Sequence, residues 1–203
     1  MDVPIPQPQE AELPPRVLSL IKEAERRVAS ILETRTPPGF VCSEFERVGR
    51  ALQGIVDGNL ATGNVCCEWG SGLGVVALMA ACQGFFACGI EIDPGLVDAA
   101  NELAEDLDLD VEFVCGTFVP HGGEDLTDVP QEYGWLSSGG ACGHDLLGVV
   151  PEEVDLVFAY PWPGEEAVVE NLFERFAGDS ALLLTFNGLE GLRLLRKVAD
   201  AGA

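Results

Sequence analysis

The sequence predicts an α/β fold in which a doubly wound, mostly parallel sheet carries helices on both faces. Short apolar segments alternate with amphipathic helical segments along most of the chain. The apolar segments read as continuous runs, which is typical of parallel strands buried on both faces. The chain has 203 residues and is 47% hydrophobic, which is enough for one sizeable core.

Two helices are expected before the sheet, and with the arm that precedes them they form a predicted N-terminal unit, residues 1–60. Residues 1–15 are rich in proline, so we expect an irregular arm. Apolar residues recur at helical spacing over residues 16–34, and the "TPPG" that follows ends this helix because proline lacks an amide donor. A second helix is predicted over residues 43–56, where a serine and a glutamate three positions later match the capping-box pattern.

The alternating region, residues 61–203, is predicted to be a single ligand-binding domain that packs against these helices. We expect its strands at residues 64–68, 85–92, 111–116, 154–160 and 181–186. We expect its helices at residues 73–82, 94–107, 165–176 and 190–201. Residues 117–150 are too long for an ordinary connection and are interpreted as a lid or substrate loop.

The charge balance restricts the class of partner. The chain has 34 acidic and 11 basic residues, a formal net charge of -23. Such a surface repels nucleic-acid phosphates and anionic lipid, so we expect a small-molecule substrate, no nucleic acid and no membrane. The acidity itself is attributed to solubility or, as the alternative, to attraction of a cationic substrate.

Cysteine usage and the first residues predict a reducing, cytoplasmic location. The seven cysteines are an odd number, and none forms a C-x-x-C pair. No group of histidines and cysteines has zinc spacing, so no metal site is predicted. The first residues have neither the basic nor the apolar region of a signal peptide.

The connection after the first predicted strand, "EWGSGLG", is the most informative motif. Gly70, Gly72 and Gly74 fit G-x-G-x-G, whereas the dinucleotide fingerprint needs a glycine at the position of Val75. No G-K-[ST] follows, so a phosphate-binding P-loop is excluded. The glycines predict a main chain that passes close to a ligand with backbone angles closed to other residues.

Two acidic residues flank this connection. Glu91 ends the second strand, and parallel pairing would place it beside the glycines, where its carboxylate can accept hydrogen bonds from both hydroxyls of a ribose. Glu68 precedes the glycines and adds a negative charge that disfavours a pyrophosphate. The combination suits a nucleoside with a positive charge and favours S-adenosylmethionine over NAD.

The segment from "CEWGSGLGVVALM" to "GIEIDPGLV" resembles the cofactor-binding half of the class I S-adenosylmethionine-dependent methyltransferases, which have a Rossmann-like fold. The resemblance covers residues 62–187 and implies the strand order 3-2-1-4-5. It implies that the glycine loop lines the methionine part of the cofactor, that Glu91 binds the ribose and that Ile92 lies against the adenine. The candidate cofactor-binding residues are Glu68, Trp69, Gly70, Ser71, Gly72, Gly74, Glu91, Ile92, Gly116 and Thr117.

The sequence departs from the family pattern in two places. The family usually places an acid after the third strand, whereas this chain has Gly116 and Thr117, so Thr117 or a main-chain carbonyl would contact the adenine amino group. Many members add an antiparallel strand pair after the fifth helix, and this pair is predicted to be missing here. The sheet would then end at the fifth strand, and its edge would need the N-terminal helices or a second copy of the chain, as a homo-oligomer, to cover it.

The acceptor site is expected after the fourth strand, in "AYPWPGEE". Amino-methylating relatives carry [DN]-P-P-[FYW] here, and this chain lacks the leading Asp or Asn, so adenine or glutamine methylation is not supported. Tyr160 and Trp162 are candidates for an aromatic wall or for packing beneath the loop. His121 and His144 are the only histidines and are candidate bases, or surface residues of their loops.

These features together predict a cytoplasmic S-adenosylmethionine-dependent methyltransferase that acts on an unidentified small molecule, with Tyr160, Trp162 and His121 as candidate catalytic residues. An aminopropyl transferase on the same fold is the first alternative, which an acidic pocket around Glu165 and Glu166 would favour. Those two residues otherwise complement the start of the following helix. The second alternative is a non-catalytic protein that binds the cofactor and serves as an interaction module.

Overall fold

The computed structural model of the protein describes residues 1–6, 12–34, 37, 40–127, 136, 139–188 and 191–199. Its strands are β1 (Val65–Trp69), β2 (Phe86–Glu91), β3 (Glu112–Cys115), β4 (Leu156–Ala159), β5 (Leu182–Phe186) and β6 (Leu192–Arg196). Its α-helices are α1 (Pro15–Thr34), α2 (Phe45–Asp57), α3 (Val75–Cys82), α4 (Pro94–Asp106), α5 (Gly143–Leu147) and α6 (Glu166–Phe176).

The strands form one sheet in the order β3-β2-β1-β4-β5-β6. The first five strands pair in parallel, and β6 runs antiparallel to β5. The predicted doubly wound α/β class and the order 3-2-1-4-5 are therefore confirmed. The order reverses between β1 and β4, and in such sheets ligands bind at the carboxyl ends of the strands at this point.

Helices cover both faces of the sheet. Helices α1 to α4 contribute to a core cluster on one face, and α6 contributes to a second cluster on the other. Strands β1, β4 and β5 are buried between these clusters along almost their whole length, which explains why they read as continuous apolar runs, whereas the edge strand β3 is exposed at both ends.

The end of the sheet differs from the sequence-based prediction. Residues 192–196 form β6 and not part of a helix, so both the predicted last helix and the predicted absence of antiparallel pairing are wrong. Leu194 and Leu195 are buried in the clusters on opposite faces, because successive side chains of a strand point to opposite sides. Residues 192–196 mix three leucines with two arginines, and so short a pattern has no periodicity that separates a strand from a helix.

The N-terminal arm covers the outer edge of β6. The Val3 N–H donates to the Leu194 carbonyl at 2.8 Å, and the Arg196 N–H donates to the Met1 carbonyl at 2.9 Å. Arg193 of the same strand forms ion pairs with Asp2 and Glu170. The β5 edge is thus occupied within the chain, and the structure does not support the predicted homo-oligomer contact through that edge.

Two helix starts differ in how well the sequence predicts them. Asp93 caps α4 by accepting a hydrogen bond from the Leu96 N–H at 3.0 Å, and Pro94 is the first residue of that helix. The predicted capping box of α2 does not form, because the helix begins at Phe45, two residues after Ser43, and no side chain caps it.

No helix among the described residues is long and apolar enough to cross a membrane.

Candidate functional site

The loop between β1 and α3 has the unusual backbone that its glycines predict. Gly70, Gly72 and Gly74 have φ values of +70°, +54° and +71°, in the left-handed region that other residues rarely adopt. The N–H groups of Gly70 and Ser71 both donate to the Ile90 carbonyl at 2.9 Å. These bonds attach the loop to the neighbouring strand at the carboxyl end of the sheet.

Two of these glycines are also required by close packing. A Cβ atom at Gly74 would overlap the ring of Phe113 in β3, and one at Gly72 would lie 2.9 Å from the Phe40 ring. A Cβ at Gly70 would meet no atom within 4 Å. The prediction that all three glycines make room for a ligand is therefore incomplete, since the absence of a side chain at Gly74 makes room for the Phe113 ring.

Glu91 lies at the end of β2 beside this loop, as the parallel pairing predicts. Its Oε2 accepts a hydrogen bond from the Gly72 N–H at 2.7 Å. Its Oε1 accepts from the N–H groups of Ile92 at 2.7 Å and Asp93 at 2.9 Å. A carboxylate has about four acceptor positions, so capacity for a further donor remains.

Glu68 is buried, with only 5% of its surface exposed. Its Oε2 accepts a hydrogen bond from the Ala77 N–H at 2.8 Å, in the first turn of α3. Burial raises the pKa of Glu68 to about 8, and the nearby charge of Glu91 adds to this shift. At neutral pH the Glu68 carboxyl is mostly protonated, so it contributes less negative charge than the sequence predicts.

The two acids and the glycine loop line one hollow with a cavity volume of about 80 Å³. This volume is smaller than the range of about 300 to 1,000 Å³ that is typical of small-molecule sites, and the rest of the hollow is open to solvent. Its lining includes Glu68, Glu91, Gly70, Ser71 and Gly72. The Ser71 hydroxyl is buried and has no hydrogen-bond partner among the described residues. A buried hydroxyl without a partner is costly, so this atom is suited to bond a ligand in the hollow.

A second wall of the hollow comes from the segment before α2 and from the end of β4. Phe40, Val41, Cys42, Ser43 and Phe45 lie on this wall together with Tyr160. The Tyr160 ring packs edge-on against Phe186, with centroids 5.1 Å apart. No motif in the sequence marks residues 40–45 as site residues, because only the packing of the N-terminal helices brings them here.

Several predicted cofactor residues lie outside this lining. Trp69 is buried on the other face of the sheet, where its ring stacks on Phe118 with centroids 5.3 Å apart. Ile92 is 46% exposed beside Glu91. The Gly116 N–H donates to the Glu91 carbonyl at 2.9 Å, and the buried Thr117 hydroxyl accepts from the Val119 N–H at 3.1 Å.

The predicted catalytic residues do not converge on one point. Tyr160 lines the hollow, whereas Trp162 is half-buried in the turn before α6 and is not part of the lining. His121 is exposed and lies with its Nε2 2.9 Å from Asp145 Oδ2. His144 is buried against Trp69, with ring centroids 6.0 Å apart, and burial lowers its pKa. Neither histidine reaches the hollow.

The two predicted acids after β4 accept hydrogen bonds from main-chain N–H groups. Glu165 is buried, and its carboxylate accepts from the N–H groups of Leu136 at 2.8 Å and Trp162 at 3.3 Å. Glu166 accepts from the Gly164 N–H at 2.7 Å. Both acids therefore stabilise the turn and the start of α6, and neither lines the hollow.

Comparison with known proteins identifies the fold. No protein-family model and no curated protein matches the sequence. The structure is similar to a methyltransferase from Geobacter sulfurreducens, with a TM-score of 0.56, 16% identity and 93% of each chain covered. It is also similar to an RNA methyltransferase from Salinibacter ruber in complex with S-adenosyl-L-homocysteine, with a TM-score of 0.52 and 20% identity over 80% of this chain and 96% of that chain.

A third similar structure is a hypothetical protein from Thermus thermophilus, with a TM-score of 0.54 and 17% identity over 81% of this chain and 92% of that chain. The glycine loop after β1 and the acid at the end of β2 are the features that carry the resemblance in the sequence. The chain therefore has a Rossmann-like fold, which it shares with these methyltransferases of known structure.

Proposed function

We propose that the protein is a methyltransferase that binds S-adenosylmethionine in the hollow beside the glycine loop and methylates a small acceptor. The observation that carries the proposal is that Glu91, Ser71 and the main chain of Gly70 and Gly72 border one hollow. This hollow lies at the carboxyl ends of β1, β2 and β4, where doubly wound sheets bind ligands.

The chemistry of the lining fits this cofactor. The Glu91 carboxylate is held by three main-chain N–H groups and would use its remaining acceptor capacity on the ribose hydroxyls. The exposed side chain of Ile92 would lie against the adenine. The unpartnered Ser71 hydroxyl would bond the polar methionine end. The Salinibacter ruber structure contains S-adenosyl-L-homocysteine, the product of the proposed reaction.

The same lining disfavours NAD. No Lys, Arg or His borders the hollow among the described residues, and its charged group is the Glu91 carboxylate. A pyrophosphate would find no compensating cation there, and Val75 stands where the dinucleotide fingerprint needs its third glycine. A sulfonium would be attracted by the carboxylate and by the aromatic ring of Tyr160.

Methyl transfer requires little covalent chemistry from the protein, since the cofactor supplies an activated methyl group. The residues of the chain must hold the acceptor in line with this methyl group and exclude water. Tyr160 and the aromatic residues Phe40 and Phe45 form an apolar wall of the hollow, and the Phe40 ring packs against Gly72 of the glycine loop. This wall favours a small acceptor with an apolar or aromatic body.

An RNA acceptor is the second candidate. It is favoured by the similarity to the Salinibacter ruber RNA methyltransferase, which covers 80% of this chain. The formal net charge of -23 opposes it, because phosphate contacts from Lys and Arg supply most of the affinity of proteins for RNA and DNA. We therefore rank RNA second, after a small molecule, as the methyl acceptor.

An aminopropyl transferase and a non-catalytic binding module both have less support. An aminopropyl transferase would need acids around the acceptor amine, and Glu165 and Glu166 bond main-chain N–H groups outside the hollow. A non-catalytic binding module would be favoured by a closed surface after β4. Tyr160 lines the open hollow instead.

Calorimetry with S-adenosylmethionine, S-adenosylhomocysteine and NAD tests the cofactor assignment. We expect the first two ligands to bind with one site per chain and NAD to bind far more weakly. Tight binding of NAD alone would contradict the proposal. Radiolabelled methyl transfer to a small-molecule panel and to total RNA then separates the two acceptor classes, because only the true class accumulates label.

A further inference from the structure

Three potential metal ligands from separate parts of the sequence meet outside the hollow, on the segment that follows β3 and at the start of α5. One ligand atom each of His121, Cys142 and Asp145 lies within 4.8 Å of the other two. His121 Nε2 and Asp145 Oδ2 are already 2.9 Å apart. Sequence analysis predicted no metal site, because the spacing between His121 and Cys142 matches no linear zinc pattern.

The main chain fixes this arrangement. Residues 117 and 142 form a parallel bridge, in which the Thr117 N–H donates to the Ala141 carbonyl at 2.9 Å and the Gly143 N–H donates to the Thr117 carbonyl at 2.8 Å. The turn that carries His121 is closed by a bond from the Gly123 N–H to the Pro120 carbonyl at 2.9 Å. The convergence of the three side chains therefore follows from hydrogen-bonded backbone.

The three ligands differ in how freely they can adjust. Cys142 is only 7% exposed and is held by its neighbours, whereas the side chains of His121 and Asp145 are 74% and 66% exposed. Ligand atoms of a tetrahedral zinc site lie roughly 3.5 Å apart, given metal–ligand distances of about 2.0 to 2.3 Å. The two exposed side chains can close the remaining gap by rotamer changes without moving the backbone.

We propose that His121, Cys142 and Asp145 bind one zinc ion. A thiolate and an imidazole are ligands for zinc and related transition metals, and they disfavour Mg²⁺ and Ca²⁺, which need several oxygen ligands. Three protein ligands leave a fourth tetrahedral position open, which a water molecule would fill. The exposed His121 and Asp145 leave this position on the solvent side.

The zinc ion would tie the two ends of the long connection between β3 and β4 together. Gly116 lies directly before the bridged segment, and its N–H donates to the Glu91 carbonyl at 2.9 Å. A Cβ atom at Gly116 would lie 2.6 Å from the Ala141 carbonyl oxygen, so the strand end and the bridged segment are closely packed. The ion would thus stabilise the region next to the carboxyl edge of the sheet.

Zinc titration of the purified, chelator-treated chain tests this proposal. Calorimetry in the presence of excess Mg²⁺ should give one zinc ion per chain, because Mg²⁺ occupies the nonspecific sites of such an acidic surface. Zinc should raise Tm, since it binds the folded state. Co²⁺ in place of zinc should give a thiolate charge-transfer band in the near ultraviolet.

Cys142→Ser is the decisive variant, and Cys115→Ser is its matched control, since Cys115 is exposed at the end of β3 and outside the cluster. We expect Cys142→Ser and His121→Ala each to weaken zinc binding by more than about tenfold and to remove the increase in Tm. Cys142→Ser should also remove the cobalt band, because the band arises from the thiolate. Cys115→Ser should keep all three signals.

Zinc binding that is unchanged in Cys142→Ser and His121→Ala would overturn the proposal, and so would binding that Mg²⁺ abolishes. Circular dichroism shows whether each variant is folded. Asp145→Asn provides a further test if Cys142→Ser is unfolded, because Asp145 is exposed and its replacement leaves the buried thiol in place.

Discussion

Glu91 Oε2 accepts a hydrogen bond from the Gly72 N–H at 2.7 Å, which joins the end of β2 to the glycine loop. The same carboxylate borders the hollow. One side chain therefore both fixes the shape of the loop and carries the negative charge that a ribose or a sulfonium would meet. Predictions about the cofactor depend first on this residue.

Glu91→Ala should weaken S-adenosylmethionine binding by more than about tenfold, because hydrogen bonds to a charged group contribute roughly 1.5 to 3 kcal/mol. Calorimetry measures the change. Glu112→Ala is the matched control, since Glu112 is exposed at the opposite end of a neighbouring strand. A folded Glu91→Ala variant with unchanged affinity would remove the ribose assignment.

Glu68 should make the stability of the protein fall as pH rises. Burial raises its pKa from 4.5 to about 8, so the folded state holds a proton that the unfolded state has released across this interval. The contribution of Glu68 to the free energy of unfolding is therefore full below about pH 4.5 and declines until about pH 8.

Glu68→Gln should remove this decline and still accept the Ala77 N–H bond. Urea unfolding at about pH 5.5 and about pH 8.5 should show that wild type loses roughly 3 kcal/mol more than the variant between these conditions. Glu112→Gln should behave like wild type. Parallel pH profiles of wild type and Glu68→Gln would show that Glu68 is ionised throughout.

Gly74→Ala should destabilise the fold more than Gly84→Ala. Both glycines have positive φ, so both substitutions carry backbone strain of about 1 to 2 kcal/mol. Only at Gly74 would the new Cβ overlap the Phe113 ring, and such overpacking costs a further 1 to 3 kcal/mol, roughly. Thermal unfolding of both variants measures the difference, and equal Tm values would contradict the packing argument.

Tyr160→Ala should weaken S-adenosylmethionine binding more than S-adenosylhomocysteine binding. Contact between an aromatic ring and a cation contributes roughly 0.5 to 2 kcal/mol, and only the first ligand has a sulfonium. Trp162→Ala is the control, because Trp162 is an aromatic residue near Tyr160 that does not line the hollow. Equal losses for both ligands in Tyr160→Ala would assign this residue to packing alone.

The fold was largely predictable because its signals are local. Strands β1 to β5 are short apolar runs, and α1 and α4 show helical periodicity with recognisable starts and ends. Strand β6 was not predictable, since its five residues mix leucine and arginine without a distinguishing period and its state depends on the partner β5. The pairing of the first residues with β6 was not predictable either, because it depends on a strand nearly 200 residues away in the chain.

The candidate site divides in the same way. The positions of Gly70, Gly72 and Glu91 follow from the sequence, because a glycine loop after one strand and an acid at the end of the next must meet in a parallel sheet. The protonation of Glu68 does not, because its pKa depends on burial by the whole fold.

The sequence by itself determined the first five strands and the glycine loop, because hydrophobic periodicity and backbone angles are properties of neighbouring residues, and the order of those strands followed from the family resemblance. Only the tertiary structure decided that Phe40 faces Gly72, that Trp69 is buried away from the hollow, and that His121 lies beside Cys142. These contacts join residues distant in the chain, and the packing that brings them together leaves no local pattern.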